Sequence, residues 1–161
     1  MTFDVDGVLT DGRLYYGEHG ETLKVFHVQD GAALKLLREQ GVEVGFITGR
    51  DSKMVAQRAA ELGIAHVFQG VSEKGLALDA VCKTLGLSDS EVAHVGDDLP
   101  DIALFRRVGF AIGVPNGHPT THDHVHLVTT VPGGAGVARE VAELLLRAQE
   151  RWPYDTSTEI S

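Results

Sequence analysis

The sequence predicts an α/β protein built on a doubly wound, Rossmann-like parallel sheet. Three observations predict it. Short apolar runs alternate along the chain with helical stripes, the pattern of strand–helix repeats. The runs end in Asp, Thr or Gly, polar where the strands of an open sheet present their carboxyl ends to a ligand. One stretch, directly after the first run, breaks the alternation and is β-prone on both sides of a Gly-rich turn.

Met1 to Val5 is the first strand, and it breaks into Asp4-Val5-Asp6-Gly7-Val8-Leu9-Thr10-Asp11-Gly12. Arg13 to Phe26, turning at Gly17 to Gly20, reads as an inserted hairpin, with the insert bounded at residues 13–27. A hairpin alone is marginal in water, so it must pack on something, and another subunit is a candidate. Glu43 to Thr48 is a buried strand through Val44, Phe46 and Ile47. Ser52 to Leu62 follows as a helix with Met54, Val55, Ala59 and Leu62 on one stripe. His66 to Gln69 is a short strand, and Glu73 to Leu85 a helix that stops at Gly86. Val92 to Gly96 is a strand, Pro100 to Val108 a helix, and Gly109 to Val114 a strand. His126 to Thr129 is the last strand, and Gly136 to Gln149 the closing helix, carrying Val137, Val141, Leu144 and Leu145. Residues 1–150 therefore form one domain, and 151–161 a mobile polar tail.

Bulk properties narrow the function. A chain of 161 residues can bury a full core. Its 14 basic and 23 acidic residues give a charge of −9, which argues against nucleic acid or an anionic membrane as a partner. Cys82, the one cysteine, cannot form an internal disulfide and reads as a buried, inert thiol. No apolar run approaches the ~20 residues of a membrane span and no leader pattern is visible, so a cytoplasmic location is expected. A few residues are expected to precede Met1, because the first strand starts so close to its motif.

The chemistry is concentrated at the strand ends. A strand's period of two puts Asp4 and Asp6 on the same side, and two such charges need a cation or a proton between them. The second strand ends in Thr48-Gly49-Arg50, with Arg58 one to two turns further on. Lys74 opens a helix, and Gly96 leads into Asp97-Asp98, with Asp101 beyond. In a doubly wound sheet these ends converge on one crevice, which is the equipment for phosphoryl transfer. Asp4 would attack phosphorus and form an aspartyl-phosphate. Asp6 would protonate the leaving alcohol and later take a proton from water. Mg²⁺ would suit Asp4, the backbone carbonyl of Asp6, and Asp97. Thr48 and Lys74 would hold the phosphoryl oxygens, and Gly7 would let the loop pass close to the site.

Asp4-x-Asp6-Gly7-x-x-Thr10, Thr48-Gly49-Arg50, Lys74 and Gly96-Asp97-Asp98-x-x-Asp101, in that order, resemble the four motifs of the haloacid dehalogenase superfamily. The segments FHVQDG, ITGR, FQGVSEKG, VGDDLPDIAL, VGFAIGVPNGHP and GGAGVAREVAELLL extend the likeness over nearly the whole chain. Together they resemble the 3-deoxy-D-manno-octulosonate 8-phosphate (KDO 8-phosphate) phosphatases. That resemblance implies the haloacid dehalogenase-like fold without a cap domain and a Mg²⁺-dependent homotetramer. It implies that the hairpin builds the tetramer and that a neighbour's tail can cover the site. It also implies a sugar-acid phosphate substrate, on the route to lipopolysaccharide, and Thr48, Gly49, Arg50, Arg58 and Lys74 are the candidate residues to meet it. Members often carry Arg where this chain has Gln29 and Ala135. The KDN 9-phosphate phosphatases are also similar but carry Glu at the position of Arg50, which tilts the reading toward the octulosonate enzyme.

Other readings compete. Asp98 and Asp101 could each be a support or a further metal contact, and Asp101 could equally be an early-helix carboxylate. His118, His122, His124 and His126 have irregular spacing for a metal site and read as a polar loop over the crevice, with one of them a candidate pocket residue. The Gly133 to Gly136 run could cradle an anion or simply turn the chain. Tyr15, Tyr16 and Phe26 suit an interface better than a stacking platform for bases. A receiver-like signalling domain also uses a phospho-accepting Asp with Mg²⁺, but its motif order differs and it lacks a second Asp like Asp6 to drive hydrolysis. A non-catalytic oligomerisation module would tolerate loss of Asp4, Thr48 or Lys74, and all three are present.

Overall fold

The computed structural model describes residues 1–155. Among these the chain runs β1 (Thr2–Phe3), β2 (Tyr15–Gly17), β3 (Gly20–Leu23), α1 (Val28–Glu39), β4 (Gly45–Ile47), α2 (Lys53–Leu62) and β5 (His66–Phe68). It continues with α3 (Lys74–Leu85), β6 (Ala93–Val95), α4 (Ile102–Phe105), β7 (Phe110–Gly113), α5 (Pro119–His122), β8 (Leu127–Val128) and α6 (Val137–Ala148). Short 3-10 turns at Asp89–Glu91 and Leu99–Asp101 precede β6 and α4.

Six strands pair in the order β5-β4-β1-β6-β7-β8, all parallel. The chain steps outward from β1 in one direction, returns, and steps outward in the other. The switch therefore lies between β1 and β6, where an open sheet opens a crevice at its carboxyl end. Successive strand residues serve opposite faces. Phe46 and Ile112 join the larger core with α1, α2 and α6, while Ile47 and Ala111 join the smaller one with α3 and α4. Small residues let α1 and α6 pack closely, with Ala33, Leu34 and Leu37 buried along with Ala138, Val141 and Leu146. Burying a leucine such as Leu34 or Leu37 stabilises the fold by about 1.5–3 kcal/mol.

The doubly wound sheet and the inserted hairpin, β2–β3, are present as expected, and the strand ends differ by a residue or two. Three differences are larger. Helix α1 is absent from the alternation read in the sequence. Its opening Val28-Gln29-Asp30-Gly31 resembles a turn, yet His27 caps it by accepting from the Gln29 amide, and Asp30 is buried, accepting from Arg139 N (3.0 Å) at the start of α6. The helix expected over 100–108 is a 3-10 turn followed by the single α-turn of α4, because the Asp101 carboxylate pulls the amides of Asp97 and Asp98 around itself (3.1 and 3.2 Å). Finally, of the expected tail, Trp152 packs against the larger core and under the Arg147 guanidinium (5.5 Å), whereas 156–161 lie outside the described residues.

Candidate active site

At the end of β1, Asp4 N donates to Val95 O (2.8 Å), carrying the sheet one residue further before the chain turns. Residues 5–10 then coil tightly, with Leu9 and Thr10 amides both donating to Val5 O (2.9 and 3.0 Å). Gly7 takes φ +90°, and a Cβ there would overlap the Asp97 carboxylate, so only glycine lets the two loops meet. Asn116 pins this loop from outside: its amide donates to Gly7 O (2.9 Å) while its oxygen accepts from Gly133 N (2.6 Å). Gly133 and Gly134 lie against the backbone of residues 7–11. The glycine run thus serves as a close-packed turn against the aspartate loop.

One crevice is lined by Asp4, Asp6, Thr48, Gly49, Arg50, Lys74, Asp97 and Asp98. Thr48 and Gly49 follow β4, Lys74 is the first residue of α3, and Asp97 follows β6. Lys74 Nζ donates to Asp4 Oδ2 (2.5 Å) and Asp101 Oδ1 (2.6 Å), with all three residues buried. Asp101 is beneath the crevice, not on its wall. It accepts from Lys74, His94 and the amides of Asp97 and Asp98, so its oxygens are already occupied. Asp98 is exposed and accepts from Leu99 N (2.8 Å). Arg58 lies elsewhere, over the Phe26 ring (5.9 Å) and beside Glu61 (3.4 Å). Gln29, in the first turn of α1, has its side-chain oxygen near Gly136 at the start of α6, and neither Gln29 nor Ala135 lines this crevice.

Charge is crowded here. Single oxygens of Asp4, Asp97 and Asp101 lie within 4.8 Å of one another. Burial, then the Asp101 charge, pushes Asp4 up against the pull of Lys74. Burial, then Asp4 and Asp101, pushes Asp97 up to about 8. Burial opposes the Asp101 carboxylate, but His94 and Lys74 hold it well below the usual range. Burial also opposes the Lys74 ammonium, yet Asp4 and Asp101 raise it. Three carboxylates against one ammonium leave an excess of negative charge, and with the Asp101 oxygens occupied, Asp4 and Asp97 remain as hard oxygen donors that fit a divalent cation such as Mg²⁺.

The hairpin supplies the other wall. Lys24, buried, donates to Asp6 Oδ1 (2.5 Å) and approaches Glu21 (3.1 Å). Arg50 donates to Tyr16 Oη (3.0 Å) and lies 3.9 Å from Asp6 and 3.8 Å from Glu21. Sequence reasoning missed Lys24 and Glu21, because charges in a β-prone hairpin look solvated. It also missed His94, whose signal was a lone polar residue inside the apolar Val92 to Val95 run. The histidines of 118–126 do not converge: His122 Nε2 meets Val114 O (3.0 Å), and His126 Nδ1 accepts from Ala111 N (2.9 Å). Cys82 is buried, and burial pushes its thiol up, as an inert thiol would behave.

A 3-2-1-4-5-6 type sheet with a carboxylate–lysine cluster at its switch point defines a phosphoryl-transfer hydrolase of the haloacid dehalogenase-like class, and residues 63–141 match the haloacid dehalogenase-like hydrolase family. The 3-deoxy-D-manno-octulosonate 8-phosphate phosphatase KdsC of Escherichia coli K12 is 43% identical over 149 residues, 92% of this chain and 79% of that protein. The chain belongs to this phosphatase family. A crystal structure of the Moraxella catarrhalis member, in complex with magnesium, phosphate and KDO, is 47% identical. It superposes with a TM-score of 0.90 over 92% of this chain and 86% of that one. The cobalt-bound Haemophilus influenzae member gives 0.93 at 37% identity, over 96% and 91% of the two chains.

Proposed function

We infer that this protein is a Mg²⁺-dependent phosphomonoesterase that hydrolyses KDO 8-phosphate to KDO and inorganic phosphate. The observation that carries the reading is the buried Asp4–Lys74 contact (2.5 Å) beside Asp97, in a chain whose relatives bear that activity in their names. Asp4 and Asp97 carboxylates with the Asp6 backbone carbonyl would hold the metal; Asp101 is left out because its oxygens are already occupied. Bound Mg²⁺ supplies charge neutralisation to the phosphoryl oxygens.

In the first step an Asp4 oxygen bonds to phosphorus as the ester P–O bond breaks, and Asp6 protonates the departing alcohol. In the second, water attacks the aspartyl-phosphate, gives its proton to Asp6, and frees phosphate and Asp4. Lys74 and Thr48 steady the transferred phosphoryl, and Lys24 orients Asp6. Arg50 meets the sugar acid from the hairpin side. Arg58, outside its own crevice, can serve the sugar only if a neighbouring subunit's crevice lies against it.

A homotetramer suits the hairpin, which leaves Tyr16, Leu23 and Val25 at least half exposed. The domain at 1–150, a cytoplasmic location and a place in lipopolysaccharide precursor synthesis complete the proposal. No described helix is long and apolar enough to cross a membrane. The test is phosphate release from KDO 8-phosphate, KDN 9-phosphate and hexose phosphates, with and without chelator. Strong preference for KDO 8-phosphate, lost on chelation, is expected; equal rates on hexose phosphates would overturn the substrate.

A further inference from the structure

His94 is fully buried in β6, paired in register with Thr2 of β1, and its ring tilts against Phe105 (5.7 Å). Its Nε2 lies 2.9 Å from Asp101 Oδ1, and its Nδ1 lies 2.9 Å from Thr2 Oγ1. A carboxylate accepts only, so the short contact to Asp101 requires the proton on Nε2. In the neutral ring Nδ1 then offers a lone pair, and the Thr2 hydroxyl, 2.9 Å from Nδ1 and 3.4 Å from Ala93 O, donates to the nearer acceptor. The other tautomer would set two lone pairs against each other in a site closed to water, a costly arrangement. In a neutral ring the bonds therefore run in one direction, from Thr2 through His94 to Asp101.

Asp101 Oδ1 is also the second anchor of Lys74, whose first is Asp4. His94 and Lys74 thus share one oxygen, while Oδ2 holds the Asp97 and Asp98 amides. If His94 stopped donating, the carboxylate could turn about its Cβ–Cγ bond and carry Lys74 with it. We propose that His94 is a positioning residue. Held by Thr2 as the neutral Nε2–H tautomer, it fixes Asp101 and so keeps Lys74 aimed at Asp4 and the transferred phosphoryl. Loss of a partner that orients a metal-ligating side chain typically costs about 10–100-fold, and a loss of about tenfold is expected for one that orients the anchor of Lys74. The kinetic part rests on the proposed phosphatase reading; the tautomer does not.

The experiment is long-range ¹H–¹⁵N correlation on the full-length protein with ¹⁵N-labelled histidine, the His94 signals being assigned by their loss in His94→Gln. A proton on Nε2 alone is expected. A proton on Nδ1, in the other tautomer or in the imidazolium, overturns the proposal. Kinetics of His94→Phe and His94→Gln follow, on KDO 8-phosphate with Mg²⁺. Phe keeps the ring packing and should lower kcat about tenfold with KM within twofold. Gln, whose amide can donate, should recover most of the loss. Should His94→Phe fail to fold, Thr2→Val replaces it, with a smaller fall in kcat expected. Wild-type kcat in a folded His94→Phe, or in Thr2→Val if that variant stands in, overturns the proposal. If the wild type ignores KDO 8-phosphate, the substrate reading has failed; the same variants are then compared on p-nitrophenyl phosphate, and equal rates there overturn the role of His94.

Discussion

The floor of the crevice and its hairpin wall are held in place by different means. On the floor, Asp4, Lys74, Asp101 and His94 are buried, and each bonds to another member of the group. On the wall, Arg50 keeps 38% of its side chain exposed and reaches Tyr16 and Glu21 on a two-stranded hairpin with apolar residues facing outward. The floor is a product of one chain's sheet topology. The wall is a surface with a side still uncovered. Chemistry built on the floor should therefore be all-or-none, while recognition built on the wall should be graded.

Asp4→Asn is the strongest way to break that contrast. An amide cannot form the acyl phosphate, so kcat should fall on the order of 10³-fold or more. Removing one crowded carboxylate should leave the fold intact, so a thermal melt within a few degrees of the wild type is expected. Steady-state phosphate release and circular dichroism check both, and retained turnover would remove Asp4 as nucleophile. Arg50→Ala comes next. If Arg50 meets the substrate by charge-assisted bonds worth about 1.5–3 kcal/mol, kcat/KM should fall about 10–150-fold, mostly through KM. A fall confined to kcat would move Arg50 from the wall to the floor.

The two regions were not equally legible. The floor could be read because its residues sit at strand ends and helix starts, where the alternation and the order of the motifs together direct Asp4, Thr48, Lys74 and Asp97 to one crevice. Lys24 was hidden, since its burial comes from a contact with Asp6 across a hairpin whose path local pattern does not determine. Helix α1 was hidden by Asp30-Gly31, which looks like a turn. In the helix Gly31 leaves the space that the Arg58 guanidinium occupies. Arg58 looked like a member of the site because it lies on the helix after Thr48, but helical phase turns it toward α1 and Phe26.

Metal and pH sharpen the account of the floor. Asp97 holds its proton to about 8 in the folded chain and releases it near 3.8 when unfolded. Between these values Asp97 is protonated in the folded chain and not in the unfolded one, so its contribution to metal-free stability falls as pH rises, by an amount on the order of a few kcal/mol. Mg²⁺ competes with that proton, so stabilisation by saturating Mg²⁺ should grow over the same window. Melting temperatures between pH 5 and 9, in chelator and in Mg²⁺, give the answer. A metal-free curve that is flat or rising would mean that Asp97 is not crowded by Asp4 and Asp101.

The smallest effect separates a third region from both. Trp152 is half-buried against the larger core, with the Arg147 guanidinium of α6 over its ring. Trp152→Ala should cost about 1–2 kcal/mol, below the 3–5 expected for a fully buried ring, and lower the melting temperature by roughly 2–6 °C. Its kinetic constants should stay at wild-type values. Removing 156–161 should do the reverse, leaving the melting temperature unchanged while raising KM if the tail covers a neighbouring subunit's site. Should the truncation leave KM untouched and Trp152→Ala raise it, then the segment at 151–155, and not the end of the chain, is what touches the substrate's surroundings.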